Sequence, residues 1–563
     1  MKKMIPAAIA VVLIIFLGLG MMVMKVFEKY SYSEETMNLT EYYEITQEDR
    51  VPVILQDEQI EITAKLKEGT YYLDFDSVQE LLNDRFFEDP NEGWLLYTTP
   101  NSIIRSQIGS NSYLEGTQET KEAYRISFYE GDTLYVALDY IKKYTNFSYE
   151  TFTDPHRMQL RTQWGEAQIA TVKKNTQVRY QGGVKSPILR QVEKGEQVTV
   201  LEEMENWTKV KTQDAMIGYI PNKHLKDVTT VTETPVTEYE EPEYTSQVRE
   251  HKINLGWHQV MVEGANATLA EVVANTKDLN VISPTWFSLS DNQGGIRSIA
   301  GKSYVEQAHS MGLEVWALID NFDENVSTYE VLSYTGRRET LIKNIMDQVL
   351  QYGIDGVNVD FEELSYETGE PFIQFIRELS VACRANGIVL SVDNYVPRES
   401  TAHYHRKEQG VVADYVIIMG YDEHWGGGGV AGSVASIGFV EDGIVQTLEE
   451  VPSHKVINAL PFYTRVWKTQ DNQVTSEAVG MEVADNFIAN NNVPVRWDEA
   501  ACQNYGEAQL GNTLYQVWLE DAQSIETKLT IMQKYDLGGV AAWKLGFEKP
   551  EIWDLISAYV NLQ

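Results

Sequence analysis

The sequence predicts a multidomain chain that ends in a (β/α)8 TIM barrel, and three observations carry that expectation. Its 563 residues exceed one ordinary domain, and 43% hydrophobic with 23% charged residues is globular composition. Over residues 250–563, eight apolar strand-like runs alternate with amphipathic helical segments, which is the count and length of such a barrel. Ahead of it, short β-rich runs broken by turns imply a small α+β domain and then a small all-β barrel, with one long uncharged apolar run near the N-terminus. The net charge of −37 argues against a phosphate-binding surface, so no nucleic-acid partner is expected.

The apolar run Met4 to Met24 is long enough to cross a hydrocarbon core of roughly 30 Å as a helix. Lys2 and Lys3 precede it, which by the positive-inside rule leaves the N-terminus cytoplasmic and the rest of the chain outside. A cleaved signal peptide is the rival, but the run exceeds the usual h-region of about 7 to 15 residues and no A-x-A site follows. Residues 1–24 are therefore expected to be a cytoplasmic tip and single-pass membrane anchor that places the remainder outside the cell. Residues 25–50, polar and acidic, read as a stalk.

Residues 51–165 mix β-rich runs (VPVILQ, TYYLDF, LYVALDYI) with helical patches such as SVQELLNDRFF, which implies an α+β domain. Residues 168–228 are short strands separated by turns, with Trp207 and Tyr219 placed to build the core of a small barrel. The stretch 229–248 (TTVTETPVTEYEEPEYTSQ and its neighbour) is rich in Thr, Glu and Pro and reads as an extended linker. Cys383 and Cys502 are the only cysteines, and Cys383 has the spacing of a buried helix face, so no disulfide framework is expected. The nine histidines lack H-E-x-x-H or Cys/His spacing; neither a metal nor a cofactor is expected.

The strand runs of the barrel are INLGW, NVISPTWF, LEVWALI, GVNVDF, IVLSVDN, YVIIMGYD, VINALPF and GVAAWKL. The fourth lies within DGVNVDFE, residues 355–362. Side chains alternate along a strand, so Asn358, Asp360 and Glu362 share a face with Gly356, opposite Val357, Val359 and Phe361. Polar groups stacked within an apolar strand cost several kcal/mol unless something satisfies or uses them. Strand-end Asp and Glu residues often cap the next helix, but a catalytic site is the other use of such a stack.

The octapeptide resembles the signature D-x-x-D-x-D-x-E of glycoside hydrolase family 18, matched by Asp355, Asp360 and Glu362, with Asn358 where most members carry the middle Asp. The Asn form resembles the branch that contains the spore-cortex and peptidoglycan N-acetylglucosaminidases. Further motifs follow in the family's order: MGYD (Met419, Tyr421, Asp422) closes strand six, PFYTRVW carries Tyr463 and Arg465 on strand seven, and Trp543 ends strand eight. The run GEQVTVL, Trp207, Val210 and the GYI at Gly218 to Ile220 resemble a bacterial SH3-like domain, which implies wall or peptide binding. Thr133 to Leu160 resembles half of the repeat of copper-amine-oxidase-N-terminal-like domains of bacterial surface proteins, implying a spacer or wall-contact module without copper.

The family resemblance implies a division of labour. Glu362 protonates the leaving oxygen and later activates water as base, Asp360 orients the substrate's N-acetyl group, and Tyr421 donates a hydrogen bond to that group. The substrate's own acetamido oxygen takes the place of the protein nucleophile. Asn358, Met419, Asp422, Tyr463, Arg465 and Trp543 are expected to bind or frame the sugar, and Asn358 to hold Asp360 by a fixed hydrogen bond. The implied activity is cleavage of a glycan containing N-acetylglucosamine, with peptidoglycan favoured; a chitinase or chitooligosaccharide hydrolase is the alternative, and a sugar-binding lectin on the same barrel the third reading.

Overall fold

Eight parallel strands close on themselves over the C-terminal region: β1 (Ile253–His258), β2 (Val281–Leu289), β3 (Glu314–Asp320), β4 (Gly356–Asp360), β5 (Val389–Tyr395), β6 (Tyr415–Met419), β7 (Val456–Pro461) and β8 (Gly539–Trp543). Each pairs in parallel with the next, and β8 pairs with β1, so no edge is left open. These are the eight runs expected from the sequence, and the barrel confirms the multidomain fold class. The computed structural model describes residues 5–235 and 237–562. Lys2, Lys3 and Met4, on which the start and orientation of the membrane anchor rest, lie outside the described residues.

The period-two reading of the fourth strand holds. Val357 and Val359 pack into the layer between strands and helices with Ile345, Phe372 and Ile376, while the alternate residues point into the barrel. Inside stand Trp257, Trp316, Leu318, Tyr415 and Ile417. A Cβ on Gly356 would lie 2.6 Å from Cδ1 of Trp316, so only glycine lets that indole fill the floor. In register, Asp320 of β3 lies beside Asp360 of β4, which brings both carboxylates to the carboxyl rim where barrel sites form.

The connections after β3 and β4 are α1 (Thr335–Tyr352) and α2 (Gly369–Asn386). Leu341, Ile345 and Val349 repeat at helical spacing and are buried against the strands. Cys383 is buried on α2, and burial pushes its thiol pKa up, as suits a small core residue. Between β7 and β8 an antiparallel five-stranded sheet is inserted, built from Tyr463–Gln470, Gln473–Gly480, Val495–Asp498, Gln503–Leu510 and Thr513–Leu519, with a helix Met481–Asn490. Tyr463 and Arg465 therefore belong to this insertion and not to strand seven, which stops at Pro461.

The chain separates into two compact units. One holds the barrel together with residues 86–107 and 113–120, strands that the sequence places inside the 51–165 domain. This small sheet serves the barrel: Oδ2 of Asp89 accepts from the Thr335 amide at 2.7 Å and hydroxyl at 2.6 Å, supplying α1 with the capping carboxylate that its own N-cap, Tyr334, lacks.

The other unit holds two seven-stranded sheets. Residues 50–74 and 127–161 form the first, with short helices Phe75–Leu81 and Leu138–Ile141, an α+β arrangement. Residues 166–232 form the second around Val178, Val198, Val210 and Ile220. Two sequence expectations change here. Residues 33–45, expected as a stalk, lie on this second sheet: the Met37 amide donates to Ile188 O at 2.8 Å, and Met37 and Leu39 pack on its core. The first linker residues, Thr229 to Thr232, complete the strand Leu225–Thr232 instead of hanging free, because Val231 and Thr229 pair with Ala167 and Ile169. At the N-terminus, the helix Ile5–Tyr30 includes a span, Val11–Tyr30, of mean hydropathy 2.2 whose side chains are all exposed.

Candidate active site

Glu362 follows β4 by two residues and is held by its backbone. The Asn321 side chain accepts from the Glu362 amide at 2.8 Å and donates to the Glu362 carbonyl at 3.0 Å, tying the loop to the end of β3. Glu363 then turns with φ 52°, the left-handed region that non-glycine residues enter at a cost. The result is a carboxyl fixed at the mouth of the barrel, with Tyr395 of β5 donating to Oε2 at 2.6 Å.

Around it lies a cleft at the mouth of the barrel. Asp360, Glu362, Met419, Tyr421, Asp422, Tyr463 and Trp543 line it, so seven of the side chains singled out in the sequence meet in one place. Trp257 lies under Trp543 with ring centroids 6.0 Å apart, and Tyr421 meets Tyr463 edge-on at the same distance. The Tyr463 hydroxyl donates to Asp422 Oδ1 at 2.7 Å, which fixes one wall. Arg465 lines the neighbouring cavity with Trp425 and Arg398.

The electrostatics favour a protonated acid. Burial raises the Glu362 pKa, opposed by the Tyr395 hydrogen bond and reinforced by Asp422, Glu363 and Asp320. Asp360 and Asp393 are both held well above the ordinary carboxyl range by burial, and Asp360 further by the nearness of Asp393 and Glu362. Two carboxyls so placed do not both ionise, and they titrate as a unit. Oδ1 of Asp360 is buried and has no hydrogen-bond partner among the described residues, and the Asp360 side chain helps to line the cleft.

Three signature residues stand outside the cleft. Asp355 precedes β4 at the opposite end of the barrel, where Oδ2 accepts from the Val315 amide and pairs with His309 Nε2, both at 2.8 Å. Gly356 makes room for Trp316. Asn358 is buried below the cleft, and its expected hydrogen bond to Asp360 is not formed. Its Nδ2 donates to Asp393 Oδ1 at 2.8 Å and Ser391 Oγ at 3.1 Å, while its Oδ1 accepts from Trp257 Nε1 at 2.9 Å and Ser283 Oγ at 3.2 Å. All four polar sites of the amide's usual complement are engaged, so the residue is a fixed strut between strands.

Sequence reasoning passed over Asp393, Tyr395 and Phe322, all lining the cleft. A signal existed for the first two. Ser391, Asp393 and Tyr395 share one face of an apolar strand at period two, the pattern that singled out the fourth strand.

Residues 304–548 match the model of glycosyl hydrolases family 18, and residues 174–226 that of the bacterial SH3 domain. The chain is similar to the cortical fragment-lytic enzyme of Bacillus subtilis (strain 168), 29% identical over 238 residues that cover 40% of this chain and 54% of that protein. It is also similar to a putative sporulation-specific glycosylase, YdhD, of the same organism, 31% identical over 228 residues, 38% of this chain and 53% of that one. Among solved structures, the spore cortex-lytic enzyme SleL of Bacillus cereus superposes with a TM-score of 0.51 at 24% identity, covering 55% of this chain and 75% of that one, a likeness of fold. The chain spans about half the length of the curated relatives it matches.

Proposed function

We propose, on the premise that residues 304–548 are a family 18 glycosyl hydrolase domain, that this chain hydrolyses a glycan containing N-acetylglucosamine, with peptidoglycan the favoured polymer. The unpartnered Oδ1 of Asp360 beside Glu362, whose carboxyl burial holds above its ordinary range, is the observation that carries the reading. An acetamido N–H donated to that oxygen would turn the acetamido carbonyl toward the anomeric carbon. Glu362 gives its proton to the glycosidic oxygen as the bond to the leaving sugar breaks, and the acetamido oxygen closes on the anomeric carbon as an oxazolinium ion. Tyr421 donates to the acetamido group, and Trp543 forms the floor under the ring. Water then opens the ring as Glu362 takes its proton, so configuration is retained. Asp360 and Asp393, both pushed toward the protonated form, are poorly suited to act as the separate nucleophile of a conventional retaining enzyme.

A chitinase would use the same chemistry and differ only in polymer. The relatives named above for cortex lysis favour peptidoglycan, as do the SH3 domain, which we assign to the cell wall, and the exposed apolar helix, which we assign to the membrane with the barrel outside the cell. A lectin reading is weakened by the retained and acid-tuned Glu362. The deciding experiment digests purified peptidoglycan and chitin with the full chain and weighs the products. New reducing-end N-acetylglucosamine from peptidoglycan supports the proposal, release from chitin alone moves it to chitinase, and binding without cleavage leaves the lectin.

A further inference from the structure

On the leaving-group side of Glu362 lies a second cavity that shares Glu362, Tyr421 and Asp422 with the cleft and is walled by Arg398, Arg465 and Trp425. The residues that each cavity touches tell the two sides apart. A cavity that touches Asp360 and Trp543 but not Glu362 lies toward the glycone; this one touches Glu362 and neither of those, so the departing sugar must enter it.

Its two arginines are unusual in this chain. There are 83 acidic against 46 basic residues, so a carboxylate partner is easily found. Among the described residues, neither guanidinium pairs with one. Arg398 lies over the Phe439 ring, 5.6 Å from its centroid, and Arg465 donates from Nη1 to Ser476 Oγ at 3.1 Å while its buried Nε has no partner. The carboxyls that share the cavity are already engaged or unsuited: Asp422 accepts from Tyr463, and Glu362 is held toward the protonated form. Glu363 is exposed at the rim. Trp425 is 55% exposed and begins a run of four glycines, and a side chain at Gly426 would stand 2.9 Å from Arg465 Nη1. The loop thus passes close to a guanidinium and carries an exposed indole that lines the same cavity.

We propose that this cavity is a subsite for a pyranose that carries a carboxylate, its ring on Trp425 and its acid on Arg398 and Arg465. Resting on the reading above, the inference names the substrate more closely: an acetamido sugar on the glycone side and an ether-linked lactyl acid, free or extended by peptide, on the leaving sugar. Chitin has no such group.

The test measures kcat/KM for the full chain on three tetrasaccharides: neutral chitotetraose, the alternating N-acetylglucosamine–N-acetylmuramic acid tetrasaccharide, and the same with its carboxyls amidated. We expect the acid form to be preferred over chitotetraose, the amide to lose that preference, and Arg398→Gln to lower the acid-to-neutral ratio by about tenfold, the scale of a lost charge-assisted hydrogen bond. A peptide-extended arm distinguishes the free lactyl acid from a peptide carboxylate. A ratio unchanged by both amidation and Arg398→Gln overturns the inference while the hydrolase reading stands. If no substrate is cleaved, that reading fails first, and calorimetric affinities of the same three sugars decide the site alone: equal affinities overturn it.

Discussion

Glu362 must hold its proton at working pH and surrender it in the transition state, so its neighbours set the alkaline limb of the rate profile. A nearby carboxylate disfavours the charged form, and a hydrogen bond from Tyr395 favours it. Tyr395→Phe should therefore move the alkaline limb of kcat/KM to higher pH, and Glu363→Gln to lower pH; shifts of the same sign in both variants would contradict the account. Glu362→Gln keeps volume but has no proton to give, so turnover should fall by roughly a thousandfold or more with an unchanged circular dichroism spectrum. Asn358 donates to Asp393, a carboxyl one strand over. Because the folded-state pKa values of Asp360 and Asp393 are raised, the native state keeps a proton that the unfolded chain loses above a carboxyl pKa of about 3.9. Stability from this pair is present at low pH and declines as pH rises toward the folded values. Asp393→Asn should flatten that decline, read as a smaller drop in Tm between mildly acidic and alkaline buffers than in the parent.

Helices α1 and α2 are joined by an ion pair with no exposure to solvent. Arg338 donates from Nε and Nη2 to the two oxygens of Glu378 at 3.1 and 3.0 Å, and its Nη1 donates to the Leu332 carbonyl at 2.6 Å. Gln374 links the same carboxylate to Thr98 of the small sheet. Such a pair is weak evidence for net stability, yet losing one partner strands a buried charge. Glu378→Ala should cost roughly 3–5 kcal/mol in urea unfolding, whereas replacing Arg338 and Glu378 together with Met and Leu should cost much less. Equal losses in the single and double variants would mean packing, not charge, governs this contact.

At the scale of the whole molecule, the exposed apolar helix near the N-terminus has a surface that water does not favour. If it sits in a bilayer, the full chain should fractionate with membranes and a chain beginning at Ser31 should not. Recovery of both in the soluble fraction would remove the anchor from the proposal.

The order and spacing of residues determined much of this protein alone. Eight apolar runs separated by helical periodicity specify a closed parallel barrel, since parallel strands need crossovers and buried faces. Period-two alternation in DGVNVDFE places Asp360 inside, and Glu362 falls at the carboxyl rim by arithmetic. What spacing along one strand does not encode is which residue of the next strand stands opposite. Asn358 was expected to serve Asp360, two positions along its own strand, but residues two apart point the same way about 7 Å apart, whereas Asp393 on the paired strand lies within a hydrogen bond's reach. The same reason hid the Asp89 cap of α1 and the meeting of Arg398 with Arg465. Each joins residues far apart in the chain: Asp89 reaches Thr335 from a separate small sheet, and Arg398 and Arg465 line one cavity only once the barrel and its inserted sheet have formed.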